Sequence, residues 1–561
     1  MRLVDYLADS LAQLGVRHVF GVGGANIEDF YDSLSMRPDI TAVVAKHEFG
    51  ATTMADGYAR LASRLGVVVA TSGGGSLNLI PGLGEAYASN VPVLALVGQS
   101  PTALDGRGAF QDSSGHGGSL DAKRLFAAVT RYCARVEDPD SLPELLAEAV
   151  TAAKAGGPAA LLLPKDVQQR TIDEPRPISA LLPPRVDTDL ELLEAARELT
   201  RAGTVGASVL IIAGDGVSRA DARQEFARFA DVLGASVAVA PDAKDTFDNR
   251  HASFVGVAGV MGHAEVRECA DAADICVLVG TRLPMMTSAG LEAALAKKTV
   301  LSIGHDSPYV PVKVGVVTSD LGKALGSLAD KLEASDRAIP AKPSSLPPRS
   351  LRSLGGVEHT GTGVSYREAV AAIEAMLPPD SDVFVDAGNT GASVAHYLPA
   401  PADGRFVIAL GMGGMGYAFG AAIGSAFARG RRTYVIAGDG AFFMHGMEVH
   451  TALEHRLPVT FIVFNNDAHA MCVTREKIYY GGSYSYSRFR HSEIGVGMGA
   501  MFPGLHACHA KTATELTEAL RVTQESHSPA FVSIDCDPDE LPPFQPFLHD
   551  SAGPEGHSDV A

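Results

Sequence analysis

Short apolar runs separated by longer amphipathic segments recur along most of the chain. Apolar runs bounded by polar or glycine-containing segments predict buried strands, and apolar positions at helical spacing predict the helices between them. In the first third the predicted strands are His18–Val22, Thr41–Val44, Gly66–Thr71, Val93–Val97 and Ala159–Leu163. Predicted helices lie between them, as at Gly50–Ser63 and Leu142–Ala155. Strands that alternate with helices predict a doubly wound parallel sheet.

The same alternation continues through the rest of the chain. Its predicted strands are Ser208–Ile212, Ser236–Ala240, Ile275–Val279, Thr299–Ile303, Thr433–Ala437 and Leu457–Phe464. Proline-rich segments at 166–186 and 338–363 indicate linkers. The pattern therefore predicts an α/β protein with three doubly wound parallel-sheet domains, at residues 1–168, 189–335 and 364–545, and a disordered tail at 546–561.

Charge, apolar run length and cysteine content limit the classes of protein to which this chain can belong. The chain has 561 residues and a formal net charge of −19, which argues against nucleic acid as a partner. No apolar run reaches the roughly 18 residues of a membrane span. The N-terminal segment reads as an amphipathic helix that enters a strand, not as a signal peptide. Six scattered cysteines without Cys-x-x-Cys pairs fit reduced thiols. We therefore expect a cytoplasmic protein that binds neither nucleic acid nor a membrane.

The candidate chemistry is concentrated between Gly438 and Asn466. Gly438-Asp439-Gly440 follows one predicted strand, Asn465-Asn466 follows the next, and 24 residues separate Gly440 from Asn465. A strand–helix–strand crossover brings the two polar ends to the same carboxyl edge of a parallel sheet. Asp and Asn supply hard oxygen ligands for Mg²⁺ or Ca²⁺, and a helix N-terminus beside them favours an anion. Either motif alone would be an ordinary turn or loop; together they predict a divalent cation that bridges a diphosphate to the protein.

This spacing resembles the thiamine diphosphate (ThDP) motif. Over about residues 1–545 the chain is similar to the pyruvate oxidase and acetolactate synthase branch of ThDP-dependent enzymes. The resemblance implies that Mg²⁺ is held by Asp439, Asn466 and the backbone carbonyl of Ala468. It also places Gly438, Gly440 and Ala441 against the cofactor.

Glu48 is the candidate catalytic residue of the first domain. It lies in the segment HEFGATTMADGYAR, just past a predicted strand and at the start of a predicted helix. The alternative is an ordinary carboxylate at a helix start, which the helix dipole favours. The resemblance implies instead a buried glutamate that exchanges a proton with the aminopyrimidine ring of ThDP. It further implies that the glycine-rich turn with Gly73, Ser76 and Asn78 lies beside the cofactor.

The polar, glycine-rich segment 106–120 contributes two further candidates. Phe110-Gln111 aligns with a pair that lines the substrate site of acetolactate synthases, which makes Gln111 a candidate catalytic residue. His116 lies near the place where decarboxylases of the family carry histidines for proton transfer. The alternative is that His116 is ordinary loop polarity, because its match is not residue for residue.

The last third supplies the remaining candidate cofactor residues. The resemblance implies that Gly388, Asn389 and Thr390 contact the diphosphate, that Gly413 accepts a hydrogen bond from the ring amine, and that Met415 wedges between the two rings. Met471 would lie against the substrate. The alternative to the cofactor role of Met415 is that it is an ordinary methionine of the hydrophobic core.

Two positions depart from the patterns of the family. Cys472 stands where pyruvate-type decarboxylases carry a glutamate. Arg475 stands where housekeeping acetolactate synthases carry a tryptophan. Through that tryptophan those enzymes prefer 2-oxobutyrate as the acceptor substrate. We therefore expect the acceptor pocket of this protein to differ from that of the housekeeping acetolactate synthases.

The central domain of acetolactate synthases holds a structural FAD. Arg282, after the run VLVG, matches an arginine of that site by position. A second arginine expected a few residues on is replaced within MMTSAG. We therefore expect that FAD is absent and that this domain serves assembly.

The resemblance implies ThDP- and Mg²⁺-dependent decarboxylation of a 2-oxo acid, with pyruvate the first choice, and carboligation to a carbonyl acceptor. The alternatives are a 2-oxo acid decarboxylase that releases an aldehyde and a non-catalytic subunit with the ThDP fold. The family also implies an active site between two chains. We therefore expect a homodimer at minimum and a homotetramer as the assembled form.

Overall fold

Three parallel six-stranded sheets, each with helices on its faces, make up the part of the protein that the structure describes. The structure is a computed structural model. It describes residues 1–173, 175–183, 190–204, 206–334, 351–354, 359, 361–483, 486–524 and 526–550. The three sheets confirm the predicted α/β class with doubly wound parallel sheets.

The first sheet has the strand order β2-β1-β3-β4-β6-β5. Its strands are β1 (His18–Val22), β2 (Thr41–Val44), β3 (Gly66–Ala70), β4 (Val93–Gln99), β5 (Tyr132–Arg135) and β6 (Ala159–Pro164). Its helices are α1 (Leu3–Gln13), α2 (Glu28–Ser35), α3 (Glu48–Ala62), α4 (Gly74–Leu77), α5 (Ile80–Ala88), α6 (Ala122–Val129), α7 (Leu142–Lys154) and α8 (Lys165–Gln168). Short 3-10 segments are Thr102–Leu104, Pro139–Ser141 and Ile178–Ala180.

The second sheet has the order β12-β11-β10-β7-β8-β9. Its strands are β7 (Val209–Ala213), β8 (Ser236–Val239), β9 (Phe254–Val257), β10 (Ile275–Val279), β11 (Thr299–Gly304) and β12 (Val314–Val317). Its helices are α9 (Leu190–Thr204), α10 (Gly216–Arg219), α11 (Arg223–Val232), α12 (Ala264–Ala272), α13 (Met285–Ser288), α14 (Glu292–Leu295) and α15 (Leu321–Glu333), with a 3-10 segment at Pro241–Thr246.

The third sheet has the order β14-β13-β15-β16-β18-β17. Its strands are β13 (Asp382–Val385), β14 (Arg405–Ile408), β15 (Thr433–Gly438), β16 (Val459–Asn465), β17 (His506–Ala510) and β18 (Ala530–Asp535). Its helices are α16 (Tyr366–Met376), α17 (Asn389–Tyr397), α18 (Tyr417–Arg429), α19 (Asp439–His445), α20 (Val449–Glu454), α21 (Ala470–Tyr480), α22 (Ile494–Met501), α23 (Ala513–Gln524) and α24 (Gln545–Asp550), with a 3-10 segment at Gly446–Glu448.

Edge strands account for most of the strands that the apolar pattern missed. β5, β9, β12, β14 and β17 all lie at a sheet edge. In β12 buried and exposed residues alternate, and β17 has only one fully buried residue. Fewer buried side chains weaken the apolar pattern of β5, β12 and β17, whereas β9 and β14 are buried along their whole length despite their edge positions. β18 is the exception, since it lies between β16 and β17 and is buried.

Helix α3 of the first domain packs directly on helix α18 of the third. Glycines bring the two backbones into contact. A β-carbon at Gly57 would lie 2.1 Å from the carbonyl oxygen of Ala421, and one at Gly424 would lie 1.9 Å from that of Met54. Because no side chain fits at these points, the two domains are fixed against each other along the length of both helices.

Several predicted features reach beyond the described residues. The predicted tail begins at residue 546, within helix α24, and residues 551–561 lie outside the description. Much of the second predicted linker, 338–363, and part of the first, 166–186, also lie outside it. In the part of the chain that is described, no helix is both long enough and apolar enough to cross a membrane.

Candidate active site

Asp439 and Asn466 lie side by side at the carboxyl edge of the third sheet. Asp439 is the first residue of α19, directly after β15, and Asn466 directly follows β16. The two strands pair in parallel with Gly438 opposite Phe464. The strand pairing therefore brings together the two motifs that lie far apart in the sequence.

The backbone of Ala468 joins these two side chains. Its N–H donates to Asn466 Oδ1 at 3.1 Å and to Asp439 Oδ2 at 3.3 Å. Gly440 N–H donates to Asp439 Oδ1 at 2.8 Å. Asn466 Nδ2 donates to the hydroxyl of the buried Tyr366 at 2.8 Å, which turns Asn466 Oδ1 toward Asp439. Two side-chain oxygens thus converge in a fixed arrangement.

The charge of this cluster suits a cation. Asp439 is fully buried, and burial raises the pKa of its carboxyl to about 7. A divalent cation would favour the ionised form. One carboxylate, one amide oxygen and one backbone carbonyl, that of Ala468, form a hard oxygen donor set of the kind Mg²⁺ takes. Among the described residues no group of three or more His, Cys, Asp or Glu side chains can hold a metal elsewhere.

The start of helix α17 lies beside this cluster. Gly388, at φ +99°, turns the chain into the helix. Thr390 Oγ1 lies 3.6 Å from the point where a β-carbon on Gly438 would stand. Asn389 is buried, and its Nδ2 donates to Thr474 Oγ1 and to a backbone carbonyl, both at 3.4 Å, while its Oδ1 has no partner among the described atoms. The N-terminus of α17 can therefore face an anion held at the cation cluster.

The loop before α18 carries Gly413 and Met415, and a buried carboxylate holds its end. Asp386 accepts hydrogen bonds from the N–H groups of Gly416 and Ala418, both at 2.9 Å. Gly413 has φ +64°, a conformation that glycine adopts at low cost. The Met415 methyl reaches within 3.2 Å of the β-carbon position on Gly440. Met415 thus stands over the cation cluster.

A second buried carboxylate, Glu85 of helix α5, holds the beginning of the same loop. It accepts from the N–H groups of Gly411 at 3.2 Å and Met412 at 2.6 Å. Arg60 lies 3.5 Å from it. Sequence reasoning missed Glu85, whose only signal is an acidic residue within an apolar helix. Its contacts show that the first domain helps to position the loop of the third.

Glu48, Asn78 and Gly75 form a separate cluster in the first domain. Asn78 Nδ2 donates to Glu48 Oε2 at 2.9 Å, and a β-carbon on Gly75 would lie 3.0 Å from Glu48 Oε1. Ser76 Oγ donates to the carbonyl of Gly73 at 2.8 Å and closes the turn. Glu48 is half-buried in the single chain. The expectation of a buried glutamate concerns the assembled site with its cofactor and stays a prediction.

Gln111 contacts this cluster, whereas His116 lies in the exposed part of the loop. Ser72 Oγ donates to Gln111 Oε1 at 3.3 Å, and a β-carbon on Gly73 would lie 2.8 Å from Gln111 Cγ. Gln111 has φ +61°. His116 is exposed and packs against Gly106 of its own loop. Among the described residues, the hydrogen bonds found for His116 are to Ser114 and Ser119 of its own loop and not to another candidate catalytic residue.

The clusters of the first and third domains stay apart within one chain. Among the described residues no hydrogen bond or ion pair joins Glu48 to Asp439 or Asn466. Met471 is half-buried and packs against the core of the third sheet. The two clusters therefore share no hydrogen bond or ion pair in the described part of the chain.

A large cleft lies at the carboxyl ends of β7 and β10, where the strand order of the second sheet reverses. Such switch points are the usual ligand sites of doubly wound sheets. The cleft has a volume of about 1490 Å³ and includes Gly214, Gly280 and Arg282 among its walls. Arg282 stacks on the ring of Tyr309 at 4.3 Å. The size of the cleft would admit a nucleotide.

Comparison with known proteins identifies the family. The chain matches the N-terminal TPP binding domain of thiamine pyrophosphate enzymes over residues 1–117, their central domain over 194–328 and their C-terminal TPP binding domain over 386–534. These three domains correspond to the three sheets. The chain belongs to the thiamine pyrophosphate-dependent enzymes.

Within that family its relatives include acetolactate synthase large subunits. It is 28% identical to "Probable acetolactate synthase large subunit" of Methanocaldococcus jannaschii, over 97% of this chain and 94% of that protein. It is 28% identical to the acetolactate synthase large subunit of Corynebacterium glutamicum, over 92% of this chain and 83% of that protein. A solved structure from Mycobacterium smegmatis, assigned as a thiamin diphosphate-dependent enzyme, aligns with a TM-score of 0.79 at 22% identity, over 96% of this chain and all of that one, which supports the fold.

Replacing Asp439 by alanine should abolish ThDP binding, because the change removes the only carboxylate of the candidate cation cluster. Calorimetric titration of ThDP in the presence of Mg²⁺ measures the effect. Asp403→Ala, which removes an exposed carboxylate from the same domain, is the matched control and should bind normally. Wild-type affinity in Asp439→Ala would contradict the assignment of Asp439 to the metal.

Proposed function

We propose that this enzyme uses ThDP and Mg²⁺ to decarboxylate a 2-oxo acid, pyruvate in the first instance, and joins the remaining fragment to a carbonyl acceptor. The observation that carries the proposal is the convergence of Asp439, Asn466 and Ala468 at one sheet edge within a chain that has all three domains of the family. The names of its acetolactate synthase relatives support the substrate class.

In this proposal the third domain binds the diphosphate end of the cofactor. Asp439, Asn466 and the carbonyl of Ala468 hold Mg²⁺, and Mg²⁺ neutralises the diphosphate. Asn389 and Thr390, at the N-terminus of α17, face the same anion. The fixed hydrogen bonds of this region mean that little reorganisation is needed on binding.

ThDP supplies, when bound, a nucleophilic carbon and a positively charged ring that takes up the electron pair released with carbon dioxide. The chain's own residues orient it. Met415 supports the rings from the loop held by Asp386 and Glu85, and the Gly413 carbonyl accepts a hydrogen bond from the ring amine. Glu48 holds the proton that is exchanged with the aminopyrimidine ring, and Asn78 fixes the Glu48 carboxyl.

In this proposal the cluster of Glu48 completes an active site only together with a second copy of the chain. Within one chain Glu48 keeps an open side, and no described contact joins it to the metal cluster. Phe443, Met444 and Met447, just past Asp439, are about half exposed, at 51%, 50% and 41%. Apolar side chains clustered next to a functional cleft favour an interface. We therefore propose a homodimer that pairs Glu48 of one chain with Asp439 of its partner, and assembly into a tetramer.

Cys472 favours carboligation over release of an aldehyde. Protonation of the bound fragment needs an acid near the substrate, and the position where pyruvate-type decarboxylases carry a glutamate holds this exposed thiol instead. Incubation with ThDP, Mg²⁺ and pyruvate, followed by identification of the product, tests the proposal. A ligated hydroxyketo acid supports it. Release of acetaldehyde alone would establish a simple decarboxylase instead, and unchanged pyruvate would exclude pyruvate as the substrate.

Glu48→Gln should keep the fold and bind ThDP while losing about 10²- to 10⁴-fold in activity. Glutamine has nearly the same shape and can hydrogen-bond the ring, but it cannot exchange a proton with it. Deuterium exchange at the thiazolium carbon measures this step directly. Glu137→Gln, at a carboxylate that is 73% exposed in the same domain, is the control. Exchange at the wild-type rate in Glu48→Gln would exclude Glu48 as the activating residue.

Co-expression of Glu48→Gln chains with Asp439→Ala chains should restore activity that each variant lacks alone. If a site takes Glu48 from one chain and Asp439 from the other, each mixed dimer has one intact site, so random mixing gives roughly a quarter of the wild-type activity. Light scattering gives the size of the assembly. A mixture as inactive as its parents, or an active monomer, would show that one chain forms the site alone.

We propose that the cleft of the central domain holds no FAD. Arg282 is engaged with Tyr309, and the following segment, 285–290, offers no second arginine for the diphosphate of a dinucleotide. The visible absorption spectrum of the purified protein measures bound flavin. A yellow protein with stoichiometric flavin would overturn this proposal. The cleft has room for such a ligand, so the spectrum decides the question.

A further inference from the structure

His469 lies between the candidate metal cluster and the loop of Met415, and neither the sequence motifs nor the family comparison gives it a role. Its backbone is fixed at the start of α21: its N–H donates to the carbonyl of Ser487 at 2.8 Å, and its carbonyl accepts from Cys472 at 2.9 Å and Val473 at 3.1 Å. The residue before it is Ala468. The imidazole therefore has a defined position beside the cluster.

The ring of His469 is enclosed on two sides. Its centroid lies 4.7 Å from that of Phe489, edge to face at 85°. On the other side a β-carbon on Gly440 would lie 2.4 Å from His469 Nδ1 and 3.2 Å from the Met415 methyl. Because Gly440 has no β-carbon, the edge of the His469 imidazole can lie against it. His469 Nδ1 and the Met415 methyl thus both approach the space that a β-carbon on Gly440 would fill.

The Nδ1 atom is buried and unpaired. It is closed to solvent, and no described atom of the chain forms a hydrogen bond with it. Leaving a buried polar atom unpaired is costly, so folded proteins rarely keep one without a use. A ring turned over by 180° would place Nε2 near the present Cε1 site, 2.8 Å from the same β-carbon position, so a nitrogen faces Gly440 in either orientation.

We infer that His469 binds the cofactor directly, donating a hydrogen bond from the ring N–H that faces Gly440 to a diphosphate oxygen of ThDP. The inference rests on the proposed function and extends it to a residue outside the motif. The diphosphate is the matching acceptor because the ring edge faces the turn that follows Gly438, where Thr390 and the metal ligands also converge. The neutral imidazole suffices, since it carries one N–H.

Two variants of His469 test this role. His469→Asn places an amide N–H close to the position of Nδ1 and should bind ThDP with Mg²⁺ within about threefold of wild type. His469→Leu keeps an apolar side chain of similar size without a donor. It should bind about ten- to a hundredfold more weakly, because a hydrogen bond to a charged group is lost. His506→Leu, at an exposed histidine of the same domain, is the control.

A second measurement separates cofactor binding from packing. Without cofactor, His469→Leu should unfold at a temperature equal to or above that of wild type, because the change removes an unpaired buried nitrogen. With inorganic pyrophosphate and Mg²⁺ as the probe, His469→Leu should show the same relative loss of affinity as with ThDP. Loss of ThDP affinity without loss of pyrophosphate affinity would overturn the assignment to the diphosphate.

The remaining outcomes are also decisive. Wild-type affinity for ThDP in His469→Leu would show that the cofactor takes no hydrogen bond from His469 and would overturn the inference. Equal weakening in the Asn and Leu variants, together with a lower unfolding temperature, would assign His469 to packing alone. If wild-type protein binds no ThDP, the proposed function itself fails, and the wild-type titration shows this before any variant is compared.

Discussion

The rest of the structure depends on the contact between helices α3 and α18, in which glycine replaces side chains at the crossing. Gly57 and Gly424 each lie against a backbone carbonyl of the opposite helix, closer than any β-carbon would permit. α3 begins with Glu48, and α18 directly follows the loop of Met415. The contact therefore sets the relative positions of the two domains that carry candidate catalytic residues. Among the described residues of one chain, no hydrogen bond or ion pair joins Glu48 to Asp439.

Buried carboxylates then hold the loops around this contact. Glu448 of the third domain accepts hydrogen bonds from the N–H groups of Lys46 at 3.0 Å and His47 at 3.1 Å, just before Glu48. Asp386 and Glu85 act in the same way at the two ends of the Met415 loop. A carboxylate that accepts several backbone N–H groups offsets the cost of its own burial and fixes the loop that supplies them.

Asp439 differs from these carboxylates in what surrounds it. It also accepts backbone N–H groups, and burial raises the pKa of its carboxyl to about 7, as it raises that of Glu448 to about 7 and that of Asp386 to about 6. Beside Asp439, His469 Nδ1 and, at the start of α17, Asn389 Oδ1 are buried without a partner among the described atoms, which is typical of a ligand site, whereas the Glu448 carboxylate is paired with Lys46, His47 and Thr451.

The sequence by itself determined the features that depend on local order: the buried central strands, the three α/β domains, and the pairing of Asp439 with Asn466 through one strand–helix–strand unit. These follow from residue spacing, because adjacent parallel strands end at the same edge. Edge strands such as β12 and β17 escaped prediction because few of their side chains are buried. The roles of Glu85 and His469, and the half-exposure of Glu48, were decided by the tertiary structure. Each depends on which residues distant in sequence are packed together, and that packing is settled only when whole helices and sheets meet.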